Sequence, residues 1–327
     1  MKFKQIFYFL LLAIVSSASY AQQLTRKEIA EITEKIPDLI SENYVLKEKS
    51  DEITSKFKNE LSSKKYLSIT NPDSLAKTLT KDLRAISNDK HLYVKYYQSS
   101  PEKDEFDWDA WEKEERILEI RQNFGFTEVK ILPDNIGYIK IVEFMHPQRG
   151  MPTAVAAMKL VEHTDGLIID IRDNGGGYGG LMNYVLNYYF DGGPTHISTT
   201  IYSDEEKLPD KEYSSDLVYG KLRVNTPLYI ITNEKTGSAA EFFAYTLLSF
   251  GKAKIIGQPT AGAAHMNTFY PLNENFRISI STGAPINSKT NTNWENTGVI
   301  PNQIVEENAI DKAWELIKTE VSTVAVQ

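Results

Sequence analysis

Not one of the 327 residues is a cysteine. Disulfide staples, thiolate nucleophiles and Cys-ligated zinc or iron-sulfur sites are thereby excluded, so any nucleophile must be an oxygen or an amine. Basic charge is also scarce: 36 Lys and Arg face 44 Asp and Glu, a formal net charge of −8, and no long basic run occurs. That balance opposes the phosphate attraction behind nucleic-acid binding, so nucleic acid is not an expected partner. Only five histidines are present, and no two have the three- or four-residue spacing of a helical ligand pair, so a metal site is not expected. There is no internal repeat or low-complexity tract. What the chain does have is 41% hydrophobic and 24% charged residues, enough apolar side chain for one large domain or two ordinary ones.

Long apolar runs are missing too, apart from Ile6 to Val15, which falls short of the roughly 20 residues a membrane-spanning helix needs. Lys2 and Lys4 precede this run. Ser19 and Ala21 place small residues three and one before a cut ahead of Gln22, the pattern of a secretory signal peptide over residues 1–21. No cysteine follows for lipid attachment. The expectation is a periplasmic or secreted protein with no membrane anchor after cleavage.

Thr25 and Glu28 form a capping box ahead of Ile29, Ile32, Ile36 and Leu39, spaced as one face of a helix. Ile53, Phe57 and Leu61 share a face of a second helix. Asn71 caps a third, with Pro72 in its first turn and Leu75, Leu79, Leu83 and Ile86 inside. Residues 22–98 therefore read as a helical N-terminal domain. The acidic stretch 99–125, with EFDWDAWEKEE, is either a linker with a solvated helix face or a lid over a cleft. Over 126–327 the period changes: VKIL, IGYIKIVEF, GLIIDIR, PLYIIT and AKIIG are strand-like runs, separated by helical stretches near 152–163, 178–189, 238–250 and 308–318. That alternation predicts an α/β core with a buried, largely parallel sheet.

Two segments of this core can carry chemistry. LYIITNEKTGSAAEFFAYTLLSF reads as strand, turn and helix, with Ser238 at the helix start, where free N–H groups and the helix dipole stabilise an oxyanion. Ser238 and Glu241 fit an ordinary capping box equally well. IIDIRDNGGGYGG places three glycines after a buried strand, a turn or a close-approach loop for a ligand. It lacks a P-loop lysine and dinucleotide spacing. A serine nucleophile needs a base. His91 follows Asp89, and His265 lies in the loop QPTAGAAH. His146, His163 and His196 have no chemical neighbour in sequence.

Six segments in order, SNDKHLYVKY, NFGFTEVKILPDNIGYIKIVEF, IIDIRDNGGG, TGSAAEFFAYTL, GQPTAGAAH and NWENTGVIPN, resemble the S41 serine peptidases, the tail-specific or C-terminal processing superfamily. The likeness is greatest to the branch containing interphotoreceptor retinoid-binding protein and the tricorn core protease. The resemblance implies a crotonase/ClpP-like core of stacked β-β-α units behind a helical N-terminal domain. It also implies Ser238 as nucleophile, His91 as general base, Glu295 as the distal acid, and the N–H groups of Gly176 and Ala239 as the oxyanion hole. Ala263 stands where the processing branch has a lysine, so histidine rather than lysine must supply the base, with His265 as the alternative. The interval from His91 to Gly137 is too short for an inserted PDZ domain of ordinary size. The implied function is hydrolysis of peptides or unfolded segments through a Ser238 acyl-enzyme, without a cofactor. The alternative is a non-catalytic carrier of retinoid- or fatty-acid-like ligands on the same scaffold.

Overall fold

The computed structural model describes residues 23–97, 108–204 and 206–324; the expected signal peptide lies outside them. The Thr25 box starts α1 (Arg26–Glu34), with Thr25 Oγ accepting the Glu28 N–H and Glu28 accepting the Thr25 N–H. The expected first helix is two. It breaks at Lys35, and Pro37, which has no N–H to continue the ladder, sits in the first turn of α2 (Ile36–Asn43). Then come α3 (Lys47–Ser62) and α4 (Pro72–Ser87), the latter capped by Asn71 Oδ1 on the Ser74 N–H.

After α4 come β1 (Tyr93–Tyr96), α5 (Trp108–Arg121), β2 (Phe126–Leu132), β3 (Ile136–Ile141), α6 (Pro147–Leu160), β4 (Gly166–Asp170) and α7 (Gly179–Leu186). The chain continues through β5 (His196–Tyr202), β6 (Asp210–Tyr213), β7 (Leu228–Thr232), α8 (Ala239–Ser249), β8 (Lys254–Gly257), β9 (Met266–Pro271), β10 (Phe276–Asn287), β11 (Gln303–Ile304) and α9 (Ala309–Val324). β2 and β3 followed by α6 form a β-β-α unit. The six-stranded sheet runs β11-β8-β7-β4-β3-β2 and is parallel except for β2. Alternation along its strands sends Leu167, Ile169 and Ile230 to a core shared with α6, α7 and α8, while Ile168, Tyr229 and Ile231 meet Ala313 and Ile317 of α9. Burial on both faces explains why these strands read as continuous apolar runs. The fold is thus the mixed α/β arrangement with an N-terminal helical region that the sequence predicts.

A second sheet was not foreseen: β1-β10-β5-β6, with β9 also on β10, is antiparallel throughout. Its strands are rich in Ser and Thr, and β10 carries Gly283 and Pro285, so hydropathy marks them weakly. Through β1 and β10 this sheet joins the helices to the α/β core.

α5 does not present a purely polar face. Ile117, Leu118 and Ile120 are exposed, while Glu119 is buried against Arg149 at the start of α6. Glu115 also meets Arg149, at 3.0 Å. No helix among the described residues is long and apolar enough to cross a membrane.

Candidate active site

β7 ends at Thr232, and Ser238 is the N-cap of α8, which starts one residue later, at Ala239. The turn is tied to the glycine segment after β4: Gly237 N–H donates to the Asn174 carbonyl at 2.9 Å, and Thr236 Oγ donates to the Ile171 carbonyl at 2.9 Å. Ser238 has φ 53° and ψ −122°. An N-cap ordinarily lies in the β region, as Thr25 does at φ −77° and ψ 158°. Two boxes that look alike in sequence therefore differ in backbone: Thr25 is relaxed, and Ser238 holds a conformation costing about 1–3 kcal/mol that persists only where its surroundings enforce it.

Glu241 does the enforcing, a role the sequence signals only as the acid of a capping box. Its carboxylate is fully buried and accepts from the N–H groups of Ser238, Gly262 and Ala263 at 2.9, 2.6 and 2.9 Å, and from the Thr260 hydroxyl. Burial pushes its carboxyl above the usual range, against the pull of these donors.

Gly176 closes on the serine from the other side. A Cβ on it would stand 2.8 Å from Ser238 Cβ and 3.0 Å from the Ala239 nitrogen, and its φ of +114° suits only glycine. Of the two expected oxyanion donors, Ala239 occupies the first turn of α8, where N–H groups have no intrahelical partner, and it donates to nothing among the described residues. The Gly176 N–H donates to Asn174 Oδ1 at 2.8 Å. Presenting that donor to a ligand requires the Asn174 side chain, buried and also bonded to the Ile141 carbonyl, to release it.

The expected acid-base residues gather where α4 meets the loop before β9. Asp89 Oδ1 accepts the His91 N–H at 2.7 Å, and Asp89 Oδ2 takes the Tyr44 hydroxyl at 2.8 Å and lies 3.4 Å from His265 Nδ1. Glu295 Oε2 lies 3.8 Å from His265 Nδ1 and accepts the N–H groups of Ala264 and His265. Thus Asp89 holds the backbone of His91 and the imidazole of His265, whereas Glu295 makes its contacts with His265 and no hydrogen bond or ion pair with His91. Neither histidine is hydrogen-bonded to Ser238. Burial holds the His91 imidazole below its ordinary value, with His265 and Arg84 adding to the shift and Asp89 opposing it. Its Nδ1 is buried without a protein partner. Burial opposes the charge of Asp89, yet the interactions with His265 and the Tyr44 hydroxyl keep its carboxyl far below the usual range. Burial, with Asp89 adding to it, raises that of Glu295.

Asp89, His265 and Glu295 also offer ligand atoms within 4.8 Å of one another; both Asp89 oxygens and Glu295 Oε2 already accept protein hydrogen bonds, while Glu295 Oε1 is buried without one. His163 is exposed at the end of α6, and His196 starts β5. His146 precedes α6 and packs edge-on against Tyr178.

A strained serine at a strand-to-helix turn, at the N-terminus of a buried helix and backed by a glycine loop, defines the class: an α/β fold with a strained strand-turn-helix elbow at Ser238. Peptidase family S41 matches residues 135–305, and the N-terminal domain of Peptidase S41 in eukaryotic IRBP matches residues 19–124; the chain belongs to peptidase family S41. It is 26% identical over 156 residues to the carboxy-terminal processing protease CtpB of Bacillus subtilis (strain 168), covering 47% of this chain and 31% of that one. The match spans 31%, 40% and 40% of the length of three curated relatives, the proteins of Bacillus subtilis, Synechocystis sp. and Bartonella bacilliformis. Among solved structures, its fold is similar to the photosystem II D1 C-terminal processing protease, with TM-score 0.53 and 14% identity over 90% of this chain and 97% of that one. The tricorn protease gives TM-score 0.53 and 16% identity over 91% of this chain and 37% of that one.

Proposed function

We propose that the chain is a periplasmic or secreted serine peptidase that cleaves peptides or unfolded protein segments through a Ser238 acyl-enzyme. The observation that carries this reading is the strained Ser238, held by Glu241 and backed by Gly176, because a plain helix cap needs no such strain. In the proposed reaction Ser238 Oγ attacks the scissile carbonyl while a histidine takes its proton. The Ala239 N–H, joined by that of Gly176 once Asn174 lets go, meets the oxyanion. The histidine then protonates the leaving amine, and water attacks the acyl-enzyme. His91 is the preferred base, since its depressed imidazole is neutral near pH 7; His265, whose imidazole lies against Asp89 and Glu295, is the alternative. Relatives named as carboxy-terminal processing proteases support a peptide substrate. The carrier reading is disfavoured by the polar lining of the cavity beside the glycine loop, where Val142 is the one apolar side chain.

The test is labelling by a fluorophosphonate probe. Wild type is expected to label, Ser238→Ala not at all, and His91→Ala at least about 100-fold more slowly, as expected for a lost general base. The rate should rise with pH through a midpoint below the ordinary histidine value of about 6.5, because only the neutral imidazole accepts the proton. A folded wild-type protein that never labels would refute the proposal.

A further inference from the structure

A cavity of about 540 Å³ opens beside the loop that holds Gly176, lined by Gln122, Thr127, Val142, Glu143, Asp173, Gly175 and Gly177. The carboxylates near it differ in one respect. Asp173 is matched by Lys235 at 3.3 Å and by Asn233. Glu115 and Glu119 share the guanidinium of Arg149. Lys140, on the strand leading to the cavity, is turned to Asp170 at 3.7 Å. Glu143 alone among these has no hydrogen bond or ion pair with any described residue. Nearby cations are thus committed elsewhere, and Glu143 presents an unmatched carboxylate to a space next to the expected oxyanion donor. Gly175 adds no bulk, since even a Cβ there would meet nothing within 4 Å.

We infer that this cavity is a substrate subsite for a cationic side chain, lysine or arginine, of a bound peptide, with Glu143 as its specificity-determining residue. The inference rests on the peptidase reading for its biological use, though the binding is independent of catalysis. A peptide whose carbonyl lies against Gly176 runs past Gly175 and Gly177, so a neighbouring side chain enters the cavity, and an ammonium or guanidinium there gains the ion pair that the fold leaves open. Partial burial pushes the Glu143 carboxyl upward, and Glu115 and Glu119 add to it, so an incoming cation meets a carboxylate with two like-charged neighbours. Asp173, also on the cavity lining, is shared with Lys235.

The test uses the full chain carrying Ser238→Ala, so that binding is read without turnover. Three fluorescein-labelled hexapeptides differ at one position: lysine, norleucine or glutamate. Lysine is expected to bind about fivefold tighter than norleucine, the ratio for a solvent-reachable ion pair, with glutamate weakest. Adding Glu143→Gln should bring lysine down to norleucine and leave norleucine unchanged. Asp173→Asn should reduce the lysine preference only slightly. Equal binding of lysine and norleucine peptides, a lysine preference that survives Glu143→Gln, or no binding of any peptide would overturn the subsite. Lysine selectivity in a protein whose wild type never labels would uphold the subsite and sink the hydrolase. Labelling without selectivity would do the reverse.

Discussion

Ser238 and Gly176 form a pair that neither residue explains alone. The serine is strained, and the glycine takes a φ open to it alone while pressing on the serine from behind. Gly176→Ala must therefore push apart two segments that the hydrogen bonds of Thr236 and Gly237 hold together. The expected result is a fall of about 100-fold or more in fluorophosphonate labelling, the scale of one lost oxyanion donor, with a stability loss of about 1–2 kcal/mol from forcing a side chain into a left-handed backbone. Gly175→Ala is the control, for its Cβ would enter open space; it should leave labelling rate and thermal midpoint close to wild type. Equal effects of the two substitutions would mean that the Gly176 contact has no bearing on the serine. From the residues alone the glycine triplet after a buried strand reads as either a turn or a close-approach loop, and it is the family resemblance that singles out Gly176. Sequence reasoning does not reach Asn174, whose side chain occupies the Gly176 N–H, because asparagine in a glycine-rich turn is what an ordinary turn also uses.

At the scale of elements, α8 and the loop 260–263 are held together by one carboxylate. Thr25-Glu28 and Ser238-Glu241 carry the same spacing, and from sequence both read as caps worth about 1 kcal/mol. They are not equivalent once folded. Glu28 is only half-buried and serves Thr25, whereas Glu241 is buried and serves four donors on two segments. Removing it leaves those donors buried and unpaired, and each unsatisfied group costs about 1–3 kcal/mol. Glu241→Ala is thus expected to destabilise the protein by about 3 kcal/mol or more in urea unfolding, against about 1 kcal/mol for Glu28→Ala. Similar losses at both sites would show that Glu241 is only a cap. Five strands of the six-stranded sheet were legible: β3, β4, β7 and β8 because their burial writes itself as continuous apolar runs, and the more exposed β2 from its short VKIL run; β11, two residues long, was not. The antiparallel sheet was not, because β5 and β10 fill their positions with Ser, Thr, Gly and Pro and depend on partners far away in sequence. For the same reason the Asp89–His265 contact could not be read: 176 positions separate the two residues, and the sequence offers each histidine only its neighbours.

Across the whole molecule, the helical region does not complete its own core. Leu79, Leu83, Phe57 and Tyr44 share a buried cluster with Leu272, Phe276, Ile278 and Ile280. β1 has no partner within the helical region and takes its ladder from β10, with Tyr93 opposite Ser279 and Tyr96 opposite Phe276. The Tyr44–Asp89–His265 chain adds a polar link in the same place. Because the Asp89 carboxyl is depressed in the folded protein, that link contributes fully above the unfolded carboxyl value of about 3.9 and is lost only as pH falls through the lower folded value, so mild acid leaves it intact. A fragment of residues 23–97 keeps every helix-forming signal, including the Thr25 and Asn71 caps, but loses the apolar wall supplied by β10. Short helices without a face to bury are marginal in water, and a chain of this size has little core to spare. The isolated fragment is expected to show weak far-UV helicity that melts without a cooperative transition. The full chain, by contrast, should lose helix and sheet signals together, and Phe276→Ala should lower the shared midpoint through a loss of about 3–5 kcal/mol. A cooperative transition in the fragment, or helices that melt apart from the sheets in the full chain, would mean that the helical region stands by itself and that β10 only touches it. The joint outcome instead makes the position of Asp89, and of the histidines it reaches, a property of the whole fold, since the strand that completes the helical core also carries the Ser279 hydroxyl that donates to the His91 carbonyl.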